Sequence, residues 1–502
     1  MQVQETSSCS PEERIDEKCR SDLRAGRCSC DEGGLFCLLS VWRLKNLSRM
    51  NKNETAELNR RDFLKGSSFA TLMTMLGGVE LITRAPLHAA DLATLVPFQL
   101  KCAVIGLGNW GREIIATLSR LKTAQLVAVC DTYPASLKRA ANSAPNAKGL
   151  DDYRKILDDK EVQAVVIATP THQHREIAIA ALQAGKHVYC EAPLASNIED
   201  AKAIALAAKA ARKQVFQAGL QTRSDPQRRF LLDFIRAGAS GKAVKAHAQW
   251  HKKQSWRMTS PNPARERELN WRLSNETSLG LVGEIGIHQI DALSWFLNGR
   301  PVSVNGFGSI MQWKDGRDVP DTVEAVFEYP GGAHLLYECT LANSFDADYE
   351  MLYGTDAAIM MRGNKAWMFK EVDSPLLGWE VYARKDQFYK ETGIALIANA
   401  TKLTNLTEKA TDEAAYTTKP LYFALESFLI NVNAVSSAVE DFSATFDVND
   451  KAALEKYISE VKLQPAAGYQ EGFEATALAI KANEAVVNGQ KAVLPKEWFE
   501  LA

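Results

Sequence analysis

The chain has 502 residues, of which 24% are charged and 46% hydrophobic, and its formal net charge is −2. This length is enough for two domains, each with a core of its own. The balanced charge gives no electrostatic reason to expect a nucleic acid or an anionic membrane surface as partner. Because no apolar run approaches the ~20 residues of a spanning helix, we also expect no membrane insertion once any signal has been removed.

The cysteines fall into two groups. Five of the nine lie in the first 37 residues, and their spacing fits no standard zinc pattern. The other four lie inside or beside apolar, strand-like runs, where cysteine usually acts as a small buried hydrophobe; these are Cys102, Cys130, Cys190 and Cys339. We predict neither a metal site nor a disulfide framework.

Residues 59–65 read NRRDFLK and resemble the twin-arginine export signal, a pair of arginines followed by Phe-Leu-Lys. A mildly apolar stretch follows as far as Ile82, and small residues near Ala89 and Ala90 suit cleavage. The alternative is an amphipathic helix with two chance arginines. We predict a signal peptide over residues 50–90, a linker over 91–99, and a periplasmic or other extracytoplasmic protein.

Signals of this kind stand at an N-terminus, so the polar residues 1–49 are unexpected. Translation from Met50 would give a leader of ordinary length. Our hypothesis is that residues 1–49 are an over-extended gene model. N-terminal sequencing of the unprocessed precursor tests it, because a peptide from residues 1–49 would contradict it.

From Leu100 the sequence predicts a strand, a glycine turn and a helix. Gly106 permits the tight turn, Gly108 lets a dinucleotide's pyrophosphate approach the backbone, and Gly111 allows close packing of helix on strand. The amides at the helix N-terminus would bind the phosphates. A plain strand–turn–helix without ligand is the alternative. The remaining turn residues are Leu107, Asn109 and Trp110.

Asp131 ends the next strand-like run, QLVAVCD, twenty residues beyond Gly111. A carboxylate at this position binds the adenosine ribose hydroxyls and repels a 2′-phosphate. No arginine follows in DTYPAS. The sequence therefore predicts NAD as cofactor, in preference to NADP.

Strand-like and helical segments continue to alternate, which predicts a doubly wound parallel sheet, a Rossmann domain, over residues 100–220. Ligands of such sheets bind at the carboxyl ends of the strands. We therefore expect cofactor contacts from the residues that follow the strands. These are Thr169, Pro170, Thr171, His172, His174, Glu191, Pro193 and Gln221.

Three segments together resemble the Gfo/Idh/MocA oxidoreductase family: GLGNWG, ATPTHQHREIAIAALQAGKHVYCEAPLA and GEIGIHQIDALSWFLNG. The resemblance runs from about Leu100 to Val439. It implies a Rossmann domain followed by an α+β domain with a large, mostly antiparallel sheet, and oxidation or reduction of a sugar or cyclitol carbon with NAD(P). It also implies a late helix, within residues 461–502, that returns to the Rossmann domain. We further expect a homo-oligomer.

Residues 221–460 contain longer strand-like runs, which predict an antiparallel sheet for the second domain. Pro330, Gly331 and Gly332 form the turn of a predicted hairpin. Beyond Gly393 the pattern predicts helices and polar loops.

The segment GEIGIHQIDALSWFLNG has helical spacing of apolar residues and a stop at Asn298 and Gly299. Glu284 and His288 would share one helix face, with Asp291 next. The imidazole is the predicted base for a substrate hydroxyl, and Glu284 would fix its tautomer and raise its pKa. The family motif has Asp where this chain has Glu284.

The alternative to a catalytic base is that His288 only packs within the helix.

The chain departs from the family at Glu191-Ala192-Pro193, where the resemblance implies Glu-Lys-Pro with the lysine at the reacting hydroxyl. Either His288 with Glu284 suffices, or another lysine has taken the role. Lys252 and Lys253 are candidates, because strand alternation sends them to opposite faces of the sheet; Lys252 is our choice.

Arg223, Trp250, Trp271 and Arg272 are further candidates for holding a sugar in the cleft. His172 and His174 invite a metal interpretation, but no third ligand stands near them in the sequence.

Outside the cytoplasm no NAD pool exists, so an exported enzyme must retain its cofactor and restore its redox state in each cycle. This favours an oxidoreductase that recycles its hydride. Two alternatives remain: cleavage of a glycoside through a transient keto sugar, and a sugar-binding protein without turnover. A panel of sugars separates the three functions. An oxidised product indicates the oxidoreductase, a free aglycone indicates glycoside cleavage, and no reaction indicates a binding protein.

Overall fold

The computed structural model describes residues 98–377, 380, 383, 385–388, 391–396, 418–447 and 450–501. The predicted start at Met50, the export signal, most of the linker and the five N-terminal cysteines lie outside these residues. In the described ranges no helix is both long and apolar enough to cross a membrane.

The first sheet has six parallel strands in the order β3-β2-β1-β4-β5-β6. Its central strands are short runs of Val, Ile, Ala and Cys buried on both faces, as parallel sheets covered by helices require. The strands are β1 Leu100–Ile105, β2 Ala124–Cys130, β3 Lys148–Leu150, β4 Ala164–Ile167, β5 His187–Cys190 and β6 Phe216–Ala218. This confirms the predicted Rossmann sheet, although the sequence pattern missed β3, whose three residues carry no alternation.

Helices connect these strands, as right-handed crossovers require. Two begin with recognisable signals: Pro134 occupies the first turn of α2, and the Asn197 side chain accepts the Asp200 N–H at the start of α5. The helices are α1 Asn109–Leu118, α2 Pro134–Ser143, α3 Arg154–Leu157, α4 His174–Gln183 and α5 Ile198–Ala210.

The second sheet has ten strands in the order β14-β15-β13-β12-β11-β7-β10-β9-β8-β16. The β7–β10 pair is parallel and every other pair is antiparallel, which confirms the predicted, mostly antiparallel sheet. The strands are β7 Ala243–His251, β8 Ser303–Ser309, β9 Thr322–Glu328, β10 His334–Thr340, β11 Asp348–Gly354, β12 Ala357–Arg362, β13 Lys365–Lys370, β14 Lys385–Phe388, β15 Glu391–Leu396 and β16 Ala492–Val493.

Two local predictions can be compared with this sheet. The β9–β10 hairpin turns where Gly331 and Gly332 take positive φ, in agreement with the predicted turn. Helices do lie beyond Gly393, as expected, among them Pro420–Thr445, but the residues up to Leu396 form β15, which pairs with β13 and β14. Pairing across the sheet outweighed a weak local pattern.

The remaining helices pack around both sheets. They are α6 Pro226–Arg236, α7 Pro263–Leu269, α8 Ile287–Phe296, α9 Pro420–Thr445, α10 Lys451–Ser459 and α11 Tyr469–Asn488. A π-helical turn, Val282–Gly286, leads directly into α8. Short 3₁₀ turns are Thr171–Gln173, Gln221–Ser224, Trp271–Leu273 and Lys496–Phe499.

The C-terminal helices join the two domains. α9 falls within residues 221–460, yet its buried face packs with the Rossmann strands, and its Phe428 ring lies 5.8 Å from the Tyr189 ring. α11 also reaches the Rossmann domain, where the Thr476 hydroxyl accepts the Leu194 N–H at 2.9 Å. Gly472 lets this helix approach closely, since a Cβ there would lie 2.6 Å from that of Ala218.

The four cysteines of the described residues are free and buried in the cores. The prediction of small buried hydrophobes is therefore confirmed for these four. Burial raises the pKa of the Cys102 thiol to about 12, so it stays protonated and unreactive at neutral pH.

Candidate active site

The glycine turn is shaped by close backbone approach. Gly106 has φ +97°, and a Cβ on Gly111 would lie 1.9 Å from the Gly106 carbonyl oxygen. A Cβ on Gly108 would meet nothing within 4 Å. The space above Gly108, beside the N-terminus of α1, therefore forms an open cradle that suits a diphosphate. Leu107 is buried beneath the turn and Trp110 is 42% exposed at its rim.

The Asp131 carboxylate lies beside the glycine turn, at the end of β2. One oxygen accepts the Leu107 N–H at 2.9 Å, and the other accepts the Tyr133 N–H at 2.8 Å. Asp131 therefore orders the glycine turn, and each oxygen keeps a lone pair for a ribose hydroxyl. Asn109, in the same turn, accepts a hydrogen bond from the Arg112 guanidinium at 2.6 Å.

Polar atoms without partners collect at the carboxyl ends of β4 and β5. Thr169 Oγ1, His172 Nδ1 and Glu191 Oε1 are buried and have no hydrogen-bond partner within the described ranges. Buried polar groups are rarely left unpaired, so three of them at adjacent strand ends fit a site whose ligand supplies the partners. Pro170 precedes the 3₁₀ turn that carries His172, and Gln221 begins the turn after β6. These residues fit an NAD(P) nicotinamide and its ribose.

His174 has a different role from the cofactor contact that we predicted. Its Nδ1 lies 3.0 Å from the Pro193 carbonyl and its Nε2 lies 2.9 Å from the Thr169 carbonyl. Burial lowers the pKa of His174 to about 4, so the ring is neutral near pH 7 and its one N–H donates to one of these two carbonyls. With both nitrogens facing the main chain, His174 ties together the loops after β4 and β5 and has none left for a cofactor.

Glu284 lies in the π-helical turn and faces the Rossmann domain. Its carboxylate accepts the Thr171 hydroxyl at 3.2 and 3.3 Å and the Leu279 N–H at 3.3 Å, and it lies 3.9 Å from Arg272 Nε. Burial raises the pKa of Glu284, and the Arg272 charge and these hydrogen bonds oppose that rise. The Arg272 guanidinium stacks over Trp271 at 4.2 Å.

The predicted action of Glu284 on His288 was wrong. In the described residues the Glu284 oxygens bond to Thr171 and Leu279, and burial lowers the pKa of His288 while Asp291 opposes that change. The physical reason is the π turn, whose wider spiral shifts Glu284 out of line with His288 relative to a regular α-helix. His288 itself follows this turn on the first turn of α8.

Arg223 and Asp291 form a partly buried ion pair that sequence spacing did not reveal. Arg223 Nε lies 2.9 Å from one carboxylate oxygen and its Nη2 lies 2.8 Å from the other. The guanidinium also lies 5.6 Å above the Trp295 ring. This pair holds Asp291 one turn beyond His288, and only folding brings together residues 68 positions apart.

Two family models match the chain. One, the NAD-binding Rossmann fold of the oxidoreductase family, covers residues 100–219, and the Gfo/Idh/MocA C-terminal domain covers residues 229–360. Together they match half of the chain. The chain belongs to the Gfo/Idh/MocA oxidoreductase family.

Proteins with similar sequences are named as dehydrogenases of sugars and cyclitols. Inositol 2-dehydrogenase of Salmonella typhimurium is 28% identical over 201 residues, which cover 40% of this chain and 55% of that enzyme. Levoglucosan dehydrogenase of Pseudarthrobacter phenanthrenivorans is 29% identical over 233 residues, 42% of this chain and 58% of that enzyme. The chain therefore spans little more than half the length of these relatives.

The fold has solved counterparts. A levoglucosan dehydrogenase in complex with NADH superposes with a TM-score of 0.57 at 20% identity, covering 79% of this chain and 99% of that one. Identity at this level shows the shared fold.

At the family's Glu-Lys-Pro position, Ala192 is half-buried and Glu191 is buried. Burial raises the pKa of Glu191 to about 7, while the Trp110 indole, the Ala192 amide and the Tyr189 hydroxyl oppose the rise. A carboxyl with a pKa near neutrality can both donate and accept a proton. Glu191 is thus an ionisable carboxyl directly before Ala192.

Lys252 and Lys253 follow the end of β7 and are both exposed. The Lys252 N–H donates to the Thr340 carbonyl and the Lys253 N–H to the Ser344 hydroxyl. Within β7 the buried Ala246 and Ala248 face the helices, but both lysines lie beyond the last residue of this strand, His251.

Within the described part of the chain, no group of three or more His, Cys, Asp or Glu side chains is arranged to hold a metal ion. His172 and Trp271 instead make an edge-to-face contact at 6.1 Å across the two domains.

Proposed function

We propose that this protein is an NAD-dependent oxidoreductase that oxidises or reduces a hydroxyl-bearing carbon of a sugar or cyclitol. One observation carries the proposal: Glu284, one turn before His288, accepts the Thr171 hydroxyl of the other domain, beside the Thr169 and Glu191 oxygens that have no partner in the described residues. The names of the relatives, which act on inositol and levoglucosan, support the substrate class. The Asp131 carboxylate supports NAD over NADP, since it would repel a 2′-phosphate.

The chemistry divides between cofactor and protein. The nicotinamide supplies the hydride acceptor when bound. His288 takes the hydroxyl proton onto its ring, and it is neutral near pH 7 because burial lowers its pKa. The Asp291 carboxylate then stabilises the imidazolium, while Arg223 holds that carboxylate in place. Thr171 and Glu284 fix α8 against the Rossmann loops.

A substrate panel tests the activity. The purified protein is mixed with NAD or NADP and with single sugars, cyclitols and anhydrosugars, and reduction of the nicotinamide is followed by its absorbance. Reduction of NAD by at least one member is the expected result. A chain that binds cofactor but turns over none of them would instead be a sugar-binding protein.

We propose further that the protein is exported and keeps its cofactor. The motif Arg60-Arg61 followed by Phe63-Leu64 supports export in the folded state. Retention outside the cytoplasm needs a dissociation constant of about nanomolar or below, roughly −12 kcal/mol. It also requires the redox state to be restored within each turnover, as in oxidation of one sugar and reduction of another.

Two measurements test export and retention. Replacing Arg60 and Arg61 by lysine should leave a folded, unprocessed protein in the cytoplasm, and arrival outside would contradict the signal. Mass spectrometry of protein recovered from the exterior should find bound NAD, and its absence would contradict retention.

A second candidate function is glycoside cleavage through a transient ketone. It is favoured by Glu191, whose pKa of about 7 suits removal of the proton from the carbon beside a ketone. Such a reaction releases free aglycone with no net change in NAD, whereas simple oxidation yields oxidised sugar and reduced cofactor.

We also propose a homo-oligomer. On the face of the ten-stranded sheet opposite its helices, Phe307 and Val326 are 66% and 43% exposed. Exposed apolar groups on a sheet face suit a second copy of the chain. Light scattering should find an oligomer that Phe307→Lys with Val326→Lys dissociates.

A further inference from the structure

Helix α7 stands outside the protein core. None of its seven residues is buried. It belongs to a segment, residues 257–273, that is held together by its own hydrogen bonds: Arg257 to Glu266 at 2.9 Å, and the Met258 N–H to Asn270 at 2.8 Å. We call residues 257–273 the cover segment. Its position needs an explanation other than core packing.

The cover segment meets the Rossmann domain through Arg265. The Arg265 guanidinium carbon lies 4.3 Å from the centre of the Tyr133 ring, a close cation–π contact between the two domains. Tyr133 stands two residues beyond Asp131 and donates its N–H to that carboxylate. Arg265 therefore stands beside the ribose end of the cofactor groove.

Part of the Arg265 side chain has no partner. Its Nη1 lies 2.9 Å from the Glu268 carboxylate, but its Nε is buried and donates to nothing in the ranges that the structure describes. The side chain is only 17% exposed. A buried guanidinium N–H is rarely left unpaired, and beside Asp131 the chemistry that would accept it is a ribose hydroxyl or an adenine ring nitrogen.

The rest of the cover segment continues along the same boundary. Trp271 contacts His172 on the loop after β4, and Arg272 lies near Glu284, which bonds to Thr171. The segment thus contacts the Rossmann domain at the adenosine end through Arg265 and at the reacting end through Trp271. A cofactor in the groove would lie beneath it.

We propose that Arg265 retains the cofactor by closing the adenosine end of the groove, stacked on Tyr133 and donating its Nε–H to the adenosine. The inference rests on the proposed NAD-dependent function and deepens its retention step. The sequence that follows Asp131 contains no arginine, and Arg265 reaches this place from the other domain. Because Asp131 would repel a 2′-phosphate, the group that Arg265 binds is the ribose or the adenine.

The expected effect is on release. Loss of a cation–π contact of this kind corresponds to about a 3- to 30-fold change in an equilibrium or a rate. Arg265→Ala should therefore release NAD about 3- to 30-fold faster, as measured by stopped-flow fluorescence when excess competitor traps the free site.

Two matched variants separate the contact from its surroundings. Arg267→Ala removes the same charge from the same helix at an exposed position and should leave release unchanged. Tyr133→Phe keeps the aromatic face and should release NAD as slowly as the unaltered chain. Tyr133→Ala removes that face and should release NAD as fast as Arg265→Ala.

The outcomes distinguish the two levels of the proposal. If the unaltered chain binds neither NAD nor NADP, the proposed function itself fails. If it binds NAD and Arg265→Ala releases it no faster, or if Arg267→Ala accelerates release equally, the retaining role alone is overturned. A loss confined to NADP would identify Arg265 as a phosphate-binding residue and would also overturn it.

Discussion

The Thr171 hydroxyl donates to the Glu284 carboxylate at 3.2 and 3.3 Å, which joins the loop after β4 to the π turn before α8. The same carboxylate accepts the Leu279 N–H. Glu284 therefore fixes the helix of His288 against the Rossmann sheet. The Glu284 carboxylate, one turn before His288, therefore links the two domains through Thr171.

Thr171→Val should lower the free energy of unfolding by about 1–3 kcal/mol, because it removes the hydroxyl donor of a buried carboxylate and leaves it the Leu279 N–H at 3.3 Å and the Arg272 charge. Urea denaturation measures this change. Thr171→Ser keeps the hydroxyl and serves as the control. Equal stability of the Val variant and the unaltered protein would contradict the link.

Gly108→Ala should separate folding from cofactor binding. A Cβ at Gly108 meets no protein atom within 4 Å, so the variant should fold, but the methyl group would occupy the cradle for the diphosphate. Calorimetric titration should show NAD affinity reduced at least about tenfold, or 1.4 kcal/mol, with little change in stability. Gly111→Ala is the contrast: its Cβ would overlap the Gly106 carbonyl oxygen, so it should lose stability as well. Unaltered NAD affinity in Gly108→Ala would exclude the cradle.

His288→Ala should reduce the rate of NAD reduction by sugar about 10²- to 10⁴-fold, the usual contribution of an acid–base group. Its NAD affinity should be unchanged, because the glycine turn and Asp131 lie in the other domain. Single-turnover absorbance and calorimetry measure the two quantities. Full activity in this variant would refute His288 as the base.

The pH dependence of kcat/KM follows from the pKa of His288. Burial lowers that pKa below the ordinary 6.5, so the neutral base persists to lower pH and the acid limb should lie below pH 6.5. Asp291 opposes the shift, so Asp291→Asn should lower the pKa further and move the acid limb to still lower pH. An acid limb that moves upward would show that another group governs it.

Lys252→Met should slow hydride transfer if this lysine has taken the role of the family lysine, and we expect that outcome. Lys253→Met, one residue on and equally exposed, is the control. Ala192→Lys alone should lower activity by filling a remodelled site. In the Lys252→Met background the same change should restore part of the rate. Unchanged rates in both methionine variants would leave His288 and Glu191 as the proton-transfer groups.

The sequence determined much of this protein by itself. The run LKCAVIGLGNWG specifies a strand and a glycine turn, and QLVAVCD specifies the next strand with Asp131 at its end, because each of these features depends on neighbours in the chain. Buried apolar runs specified the parallel sheet, and the alternation around Gly331 specified a hairpin. Such features are local, so composition and spacing contain them.

Tertiary structure decided what distant residues do. It turned Glu284 towards Thr171 through a π turn, paired Arg223 with Asp291, and assigned both nitrogens of His174 to main-chain carbonyls. It also placed Arg265 beside Tyr133, where the local sequence offered no arginine. The physical reason is that side-chain partners and burial, which set charge and pKa, depend on which segments pack together, and spacing along the chain does not contain that information.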